Sequence, residues 1–387
     1  MPATINCDVA IVGGGLAGGL IALALRRKRP DCDVRIVEGG SRIGGNHLWS
    51  FFATDVAPAD RWLTAPLIGH GWTSYDVAFP AVSRTLRTGY YSIESRRLDQ
   101  VVRAELPAHA VMTRRKVLAA SPTAVVLSDG DRIEAKGVID CRGPADLAAL
   151  HCGWQKFHGR ELALAEAHGL ARPKLMDATV EQLDGYRFVY ALPFSPTCAF
   201  VEDTYYSDTP DLDPALLGMR IAAYADAQGW QVDHVVREES GALPVVMGGD
   251  FEAYWQAGGN KVAKAGGRAG LFHPLTSYAL PDAVRTATLV AAASDLGGAA
   301  LHRLLHDFAR STWRRRHFYR MLAAMLFKAA EPTERYRILQ RFYRLDPQLI
   351  GRFYAGHSTL FDRLRLVSGK PPVPVGRAVS AIRESFR

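Results

Sequence analysis

A glycine-rich loop close to the N-terminus constrains this chain more than any other feature. Asp8 to Val12 reads as a short buried strand that runs into Gly13-Gly14-Gly15-Leu16-Ala17-Gly18 and then into an Ala/Leu-rich helix from Leu20 to Leu25. A second strand, Val34 to Val37, ends in the acid Glu38. Strand, Gly-x-Gly-x-x-Gly, helix, strand and acid, in that order, make the dinucleotide-binding fingerprint of a Rossmann-type α/β unit. Each part has a physical reason. Gly13 permits the tight turn, Gly15 has no Cβ and lets a pyrophosphate approach the backbone, and Gly18 lets the helix pack close to the strand. The helix N-terminus offers unpaired N–H groups and the positive end of its dipole to phosphate. Glu38 lies about 20 residues past the loop, where a carboxylate can hold a ribose hydroxyl pair. A glycine turn with no ligand is the competing explanation of any short motif, and the complete ordered unit weighs against it.

The residues after the acid narrow the choice of dinucleotide. Glu38 leads to Gly39-Gly40-Ser41-Arg42-Ile43-Gly44-Gly45-Asn46-His47. A basic residue followed by a glycine pair is similar to the FAD version of the fold, so Arg42, Gly44, Gly45, Asn46 and His47 join the loop as candidate cofactor residues. Gly137 to Gly143 reads as a buried strand ending in a glycine turn, similar to the segment that returns flavoprotein chains to their cofactor. Gly266 to Pro274, followed by Thr276-Ser277-Tyr278, resembles the second FAD segment and adds Gly267 and Pro274. It enters a helix with Pro281 near its first turn, a position proline favours, and that helix is expected to aim its positive end at the flavin ring. One departure stands out: Gly266-Gly267 replaces the usual Gly-Asp pair, so no side-chain carboxylate serves the flavin ribitol there.

A length of 387 residues allows about two to three domain-sized units. Hydrophobic content of 48% with 22% charged residues is that of an ordinary globular protein. No segment reaches the ~18 apolar residues of a membrane span, and Asp8 interrupts the only early apolar run, so no signal pattern is read. Cys7, Cys32, Cys141, Cys152 and Cys198 are scattered without a C-x-x-C pair; this argues against a disulfide framework or a metal site and fits a reducing cytoplasm. The net charge of +8 is concentrated in Arg26-Arg27-Lys28-Arg29 and in Arg314-Arg315-Arg316-His317, with Arg310 and Arg320 nearby. No nucleic-acid motif accompanies either cluster. The first sits at a helix end, where cations suit the dipole. The second falls in a helical stretch from roughly Leu301 to Ala330, with Phe318, Leu322, Met325 and Ala329 at helical spacing and Tyr319 and Leu326 beside them. That pattern suits a membrane-surface helix and equally an amphipathic core helix with a solvated basic side.

The chain reads as discontinuous. Residues 1–61, 91–150 and 250–300 are expected to form an FAD-binding domain, residues 62–90 and 151–249 a β-sheet substrate domain, and residues 301–387 a helical C-terminal region. Strands are expected at Tyr186 to Leu192 and Cys198 to Asp203, and a small sheet within Val117 to Asp140. The tail Pro371-Pro372-Val373-Pro374 cannot begin a helix.

Almost end to end, the residues resemble the bacterial lycopene β-cyclases. The segments that carry the resemblance are Gly44-Gly45-Asn46-His47-Leu48-Trp49-Ser50-Phe51, Met176 to Val180, Asp184 to Tyr190 with Leu192-Pro193-Phe194, Phe200-Val201-Glu202-Asp203-Thr204, Arg268 to Pro274, and the tail from Leu326-Phe327 to Gly369-Lys370-Pro371-Pro372. Leu48 stands where the family commonly has Thr, and Phe52 where it commonly has His.

The resemblance implies redox-neutral conversion of the open ends of lycopene to β-rings, starting with protonation of a terminal double bond. It implies reduced FAD, with NAD(P)H as external reductant, and lycopene and related acyclic carotenoids as substrates. It also implies contact with the membrane surface and with enzymes of the same pathway, and a cytoplasmic protein peripherally bound to the inner membrane; because the substrate comes from lipid, the Arg-rich helical stretch from Leu301 to Ala330 is the expected membrane contact. A cation in an apolar cavity needs negative charge close by, which an anionic reduced flavin supplies. Glu202, in the apolar strand Cys198 to Val201, is the candidate proton donor, since a carboxyl in an apolar setting stays protonated. Strand alternation puts Asp203 on the opposite face, where it supports the strand; both residues are the candidate catalytic pair. The plain alternative is that both acids cap a strand end before a turn at Tyr205 to Asp208. Trp49, Phe51, Phe52, Tyr186, Phe188, Tyr190 and Phe194 are candidate tunnel residues. Competing activities are a FAD-dependent hydroxylase or prenyl-chain reductase, and a non-catalytic lipid-binding flavoprotein.

Overall fold

The computed structural model describes residues 2–259, 261–369 and 376–377. The proline-rich stretch Pro371 to Pro374 lies outside the described residues. Strand β1 (Thr4–Val12) enters the interior as it proceeds, and its last four residues are buried. Helix α1 (Leu16–Lys28) comes next, its Leu20 to Leu25 wholly buried and its last turn carrying Arg26, Arg27 and Lys28. Arg27 pairs with Glu105 and lies over the Trp62 ring, so this basic cluster serves the helix end and its packing. β2 (Val34–Val37) and β3 (Arg132–Asp140) run parallel to β1 on either side of it. Parallel strands covered on both faces carry unbroken Val/Ile runs rather than alternation, as these do. The sheet has seven strands, completed by the short strand Val111–Met112, the hairpin strands Val117–Ala120 and Ala124–Leu127, and Ala263–Lys264.

A second seven-stranded sheet is built from β4 (Leu150–Leu164), β5 (Tyr186–Ser195), β6 (Cys198–Ser207) and β7 (Val232–Gly249), in the spatial order β7-β4-β6-β5. The neighbouring strands are antiparallel. Lys174–Asp177, Tyr75–Phe79 and Val82–Leu86 extend it beyond β5, so the sheet draws on two separated stretches of chain. The helix Pro214–Ala227, capped by the Asp213 carboxylate, joins β5 and β6 in one apolar core. A three-stranded sheet, Leu48–Phe52, Tyr90–Glu94 and His70–Trp72, adjoins the glycine-rich unit.

Helix α2 (Leu280–Ala292) starts with Pro281 in its first turn and shares a core with α1. The long helix expected from Leu301 to Ala330 is instead two helices, α3 (Gly298–Arg315) and α4 (His317–Ala324), followed by a π-turn at Met325–Ala329. The break falls at Arg316, whose guanidinium is drawn inward onto Asp282 at 2.5 and 2.9 Å. Arg320 is buried as well, 3.9 Å above the Trp313 ring. Tyr319, Leu326 and Ala329 are buried in the interior. Of the apolar stripe, Ala329 is buried and Phe318, Leu322 and Met325 are half-buried against the core, and two of the segment's arginines are buried. The exposed apolar helix lies further on: α5 (Leu360–Val367) leaves Leu360 74%, Phe361 75% and Leu364 58% accessible.

Candidate active site

The glycine loop lines a cavity of about 530 Å³ together with Val12, Val37, Glu38, Gly39, Gly44, Gly45, His47, Cys141, Arg142 and Gly143. Three of its glycines explain its shape. Gly13 has φ +99, and a Cβ there would meet the Arg142 backbone nitrogen at 2.8 Å. A Cβ on Gly18 would sit 2.1 Å from the carbonyl oxygen of Gly13, so α1 can come this close only with glycine. Gly15 has open space in the same direction, as do Gly39 and Gly143; a side chain at Gly15 or Gly143 would project into the room a ligand needs. The Glu38 carboxylate accepts from the Gly14 N–H at 2.8 Å and the Gly40 N–H at 2.7 Å, which fixes it in place, and each oxygen keeps capacity for another donor such as a ribose hydroxyl. Arg115, Lys116 and Arg142 supply positive charge. A glycine-walled, cationic cleft with one fixed carboxylate at the strand ends of a parallel sheet fits a dinucleotide such as FAD.

His47 lines this cavity and also a second one, of about 470 Å³. The second is bounded by β4, β5, β6 and β7, by Leu48 to Phe52 and Tyr90, by the approach to α2 (Thr276 to Leu280), and by Tyr343 and Tyr354. Its wall is aromatic: Trp49, Phe52, Tyr90, Phe157, Phe188, Tyr190, Tyr206 and Tyr278 all face it. Tyr90 and Tyr190 share a hydrogen bond of 2.7 Å, and burial pushes both hydroxyls far above their ordinary pKa, so they stay neutral.

Two carboxyls open onto this cavity, Glu202 and Glu239. Glu202 is held by a 2.6 Å hydrogen bond from the Thr204 hydroxyl. Burial, and secondarily the Glu239 charge, push its pKa up to about 8, so it is a neutral acid at pH 7. Burial also pushes Glu239 up, to about 7, against the pull of Arg237, whose guanidinium donates to it at 3.0 Å. Desolvation, then the Arg237 charge, hold the His47 pKa below its usual value.

Asp203 has no part in this wall. The pleat turns it to the opposite face, where it is 0% exposed and receives Arg187 at 2.8 and 3.2 Å and the Tyr205 hydroxyl at 2.9 Å. Its geometry is that of a strand support. The cofactor candidates divide similarly. Gly13, Gly15, Glu38, Gly44, Gly45, His47 and Gly143 line the glycine cavity. Gly14, Leu16, Ala17 and Gly18 shape it from behind, through the Glu38 hydrogen bond and the packing of α1. Arg42 is exposed, and Asn46 is tied to the Glu238 carbonyl at 2.5 Å. Gly267 abuts Pro144, and Pro274 accepts from Val246 at 2.9 Å, both outside the cavity lining. Among the aromatic candidates, Trp49, Phe52, Phe188 and Tyr190 line the second cavity, whereas Phe51 and Tyr186 are core and Phe194 stacks on His70 at 3.9 Å.

Sequence reasoning missed Arg115, Lys116 and Arg142 at the first cavity and Glu239, Tyr90 and Tyr278 at the second. Arg142 comes directly after the Gly137 strand and was within reach of the same reasoning. Glu239 had a signal too, since Glu238-Glu239 precedes an apolar run as an acid pair in a strand, as Glu202-Asp203 ends one.

Residues 8–380 match the family described as lycopene cyclase protein. The chain is 45% identical to the lycopene beta-cyclase of Pantoea ananas, over 98% of this chain and 99% of that protein. It is 43% identical to the lycopene beta-cyclase of Pseudescherichia vulneris, over 98% of each. In fold it is similar to a geranylgeranyl bacteriochlorophyll reductase-like protein of Thermoplasma acidophilum, with TM-score 0.61 and 12% identity over 99% of this chain and 100% of that one. It is likewise similar to the p-nitrophenol 4-monooxygenase PnpA of Pseudomonas putida, with TM-score 0.62 and 16% identity over 92% of this chain and 99% of that one.

Proposed function

The chain belongs to the lycopene cyclase protein family, and on that premise we propose that it closes the open ends of lycopene to β-rings by acid–base chemistry in the aromatic cavity, with FAD held in the adjoining glycine cavity. One observation carries the reading: a carboxyl that burial keeps protonated, Glu202, faces an aromatic cavity that meets the dinucleotide cleft at His47. Glu202 gives its proton to the terminal double bond, and the cation formed is attacked by the neighbouring double bond. The aromatic rings turn their π-faces to that cation and exclude water from it. Bound in the glycine cavity in its reduced, anionic form, FAD would supply negative charge to offset the cation without net oxidation, with NAD(P)H as its external reductant. Gly15 and Gly143 leave room for the pyrophosphate, Glu38 holds the ribose, and Arg142 and Lys116 offset phosphate charge. Asp203 fixes β6 through Arg187.

Lycopene is insoluble in water, so it comes from lipid. No helix of the described residues is long and apolar enough to cross a membrane. An apolar cavity of about 120 Å³ runs from Leu366 and Val367 of α5 past Leu322 and Phe342, and it shares Met176, Tyr206, Thr276 and Tyr354 with the aromatic cavity. Beside α5, Arg314, Arg315 and Arg363 line a basic hollow. Exposed apolar residues rimmed by arginines suit a peripheral position on an anionic membrane face, with α5 at the mouth of the substrate path.

The test is an anaerobic assay with lycopene in liposomes and chemically reduced FAD, without nicotinamide, in H₂O and in D₂O. Bicyclic product of unchanged mass in H₂O, with deuterium gained in D₂O, is the expected result. A product differing by two hydrogens or one oxygen would transfer the protein to the flavin oxidoreductases.

A further inference from the structure

Ring closure uses two protons: one is given to the terminal double bond, and a different one leaves the ring carbon. Glu202 accounts for the first. The sheet register places a partner for the second. Glu202 of β6 and Glu239 of β7 are both directly opposite Gly159 of β4, which lies between them. Residues paired directly across antiparallel strands project from the same face, so the two carboxyls rise on one face of the sheet, and the Phe200 ring packs over Gly159 between them. Their backbones are two strand spacings, roughly 10 Å, apart. Both line the aromatic cavity.

Their donors differ in kind. Glu202 accepts from a neutral hydroxyl, Thr204. Glu239 accepts from the Arg237 guanidinium and from the Leu48 backbone N–H. A guanidinium and an amide favour the ionised carboxylate, whereas a hydroxyl in an apolar wall leaves the acid form in place. Burial raises both carboxyls, to about 8 for Glu202 and about 7 for Glu239, and the cationic donor leaves Glu239 the more acidic of the two, which suits Glu202 to the acid role and Glu239 to the base. Glu238, the neighbour in sequence, points to the other face and pairs with Arg160 at 2.7 Å.

We propose that Glu239 is the second catalytic carboxyl, the base that removes the ring proton and so sets the double bond in the β position. The assignment rests on the cyclase reading above. The Glu202 O–H bond breaks as a C–H bond forms at the terminal alkene, and the electron pair of the internal double bond makes the new ring bond. The ring C–H then breaks, its electron pair becomes the ring double bond, and its proton finishes on a Glu239 oxygen. No electron is gained or lost. The proton returns from Glu239 to Glu202 through solvent once product leaves, and the cycle closes.

The experiment compares wild type, Glu202→Gln, Glu239→Gln and Glu239→Asp in the anaerobic D₂O assay, with flavin absorbance and circular dichroism confirming cofactor and fold. Glu202→Gln is expected to make no rings. Glu239→Gln is expected to lower kcat for β-rings on the order of 100-fold with KM within about threefold, and to divert surviving turnover to rings whose double bond lies elsewhere. Glu239→Asp, which keeps a carboxylate, is expected to recover at least about a tenth of the rate and the β position. Wild-type β-ring output from Glu239→Gln, or equal loss in Gln and Asp with no change in ring isomer, overturns the assignment. If Glu239→Gln does not hold FAD, Glu239→Ala with added formate takes its place: restored β-rings support the base, and no restoration overturns it. Failure of the wild type to form rings overturns the cyclase reading instead.

Discussion

Glu202 and Asp203 are adjacent in sequence, yet the pleat gives them opposite chemistry. Glu202 faces an aromatic cavity with one hydroxyl for company, while Asp203 is buried under a bidentate Arg187. In the proposed mechanism the acid form of Glu202 is the working form, and burial pushes its pKa up to about 8. Below that value it holds its proton; above it the donor is lost, so kcat is expected to fall about tenfold per pH unit on the alkaline side. A pH–rate profile in intact liposomes checks this, and a rate that rises steadily to pH 10 would refute the role. Asp203→Asn leaves Arg187 charged and unmatched in the interior, and is expected to cost about 3–5 kcal/mol of stability, seen in urea melts, while any folded fraction keeps the β-ring product. Both acids could be picked from the sequence because an acid in an apolar strand is conspicuous. Their separation into two faces was also legible, since alternation has a period of 2. Glu239 was not, because its meaning depends on a register between β4 and β7 that no local pattern encodes.

At the scale of elements, the glycine loop behaves as two kinds of position. A Cβ at Gly18 collides with the Gly13 carbonyl, whereas a Cβ at Gly15 meets nothing within 4 Å. Gly18→Ala is therefore expected to push α1 off β1 and cost about 1–3 kcal/mol. Gly15→Ala is expected to melt within about 0.5 kcal/mol of the parent and yet lose most of its bound flavin. Thermal melts of the apoprotein beside flavin absorbance after gel filtration separate the two effects, and equal destabilisation in both would sink the distinction. The strand–loop–helix order was readable because every step in it is local: a buried run, a positive φ at Gly13, a close approach at Gly18. The break between α3 and α4 was not readable. The sequence around Arg316 has continuous helical spacing, and partners far away in the chain, the Asp282 carboxylate and the Phe272 carbonyl, draw that arginine inward.

Over the whole molecule, the proposed path of the substrate joins parts remote in sequence. The aromatic cavity takes its walls from Leu48, Trp49, Ser50 and Phe52, from all four long antiparallel strands and from the C-terminal region, and it shares four lining residues with an apolar cavity that reaches Leu366 and Val367 of α5. Leu360→Glu with Phe361→Glu is expected to reduce co-sedimentation with anionic liposomes at least about tenfold, given ~1.5–3 kcal/mol for each large apolar side chain buried. Activity on detergent-dispersed lycopene should stay near the parent level; unchanged liposome binding would remove α5 from the membrane reading. By itself the sequence determined the parallel glycine-loop unit and the family, and it singled out Glu202 as an acid in an apolar strand, because each rests on residues within a few positions of one another. Only the tertiary structure decided that Glu239 shares the cavity with Glu202, that two arginines of the Arg316 segment are buried, and that α5 is the exposed apolar helix. Each of these depends on which distant surfaces bury one another, and burial is set by the packing of the whole chain rather than by local pattern.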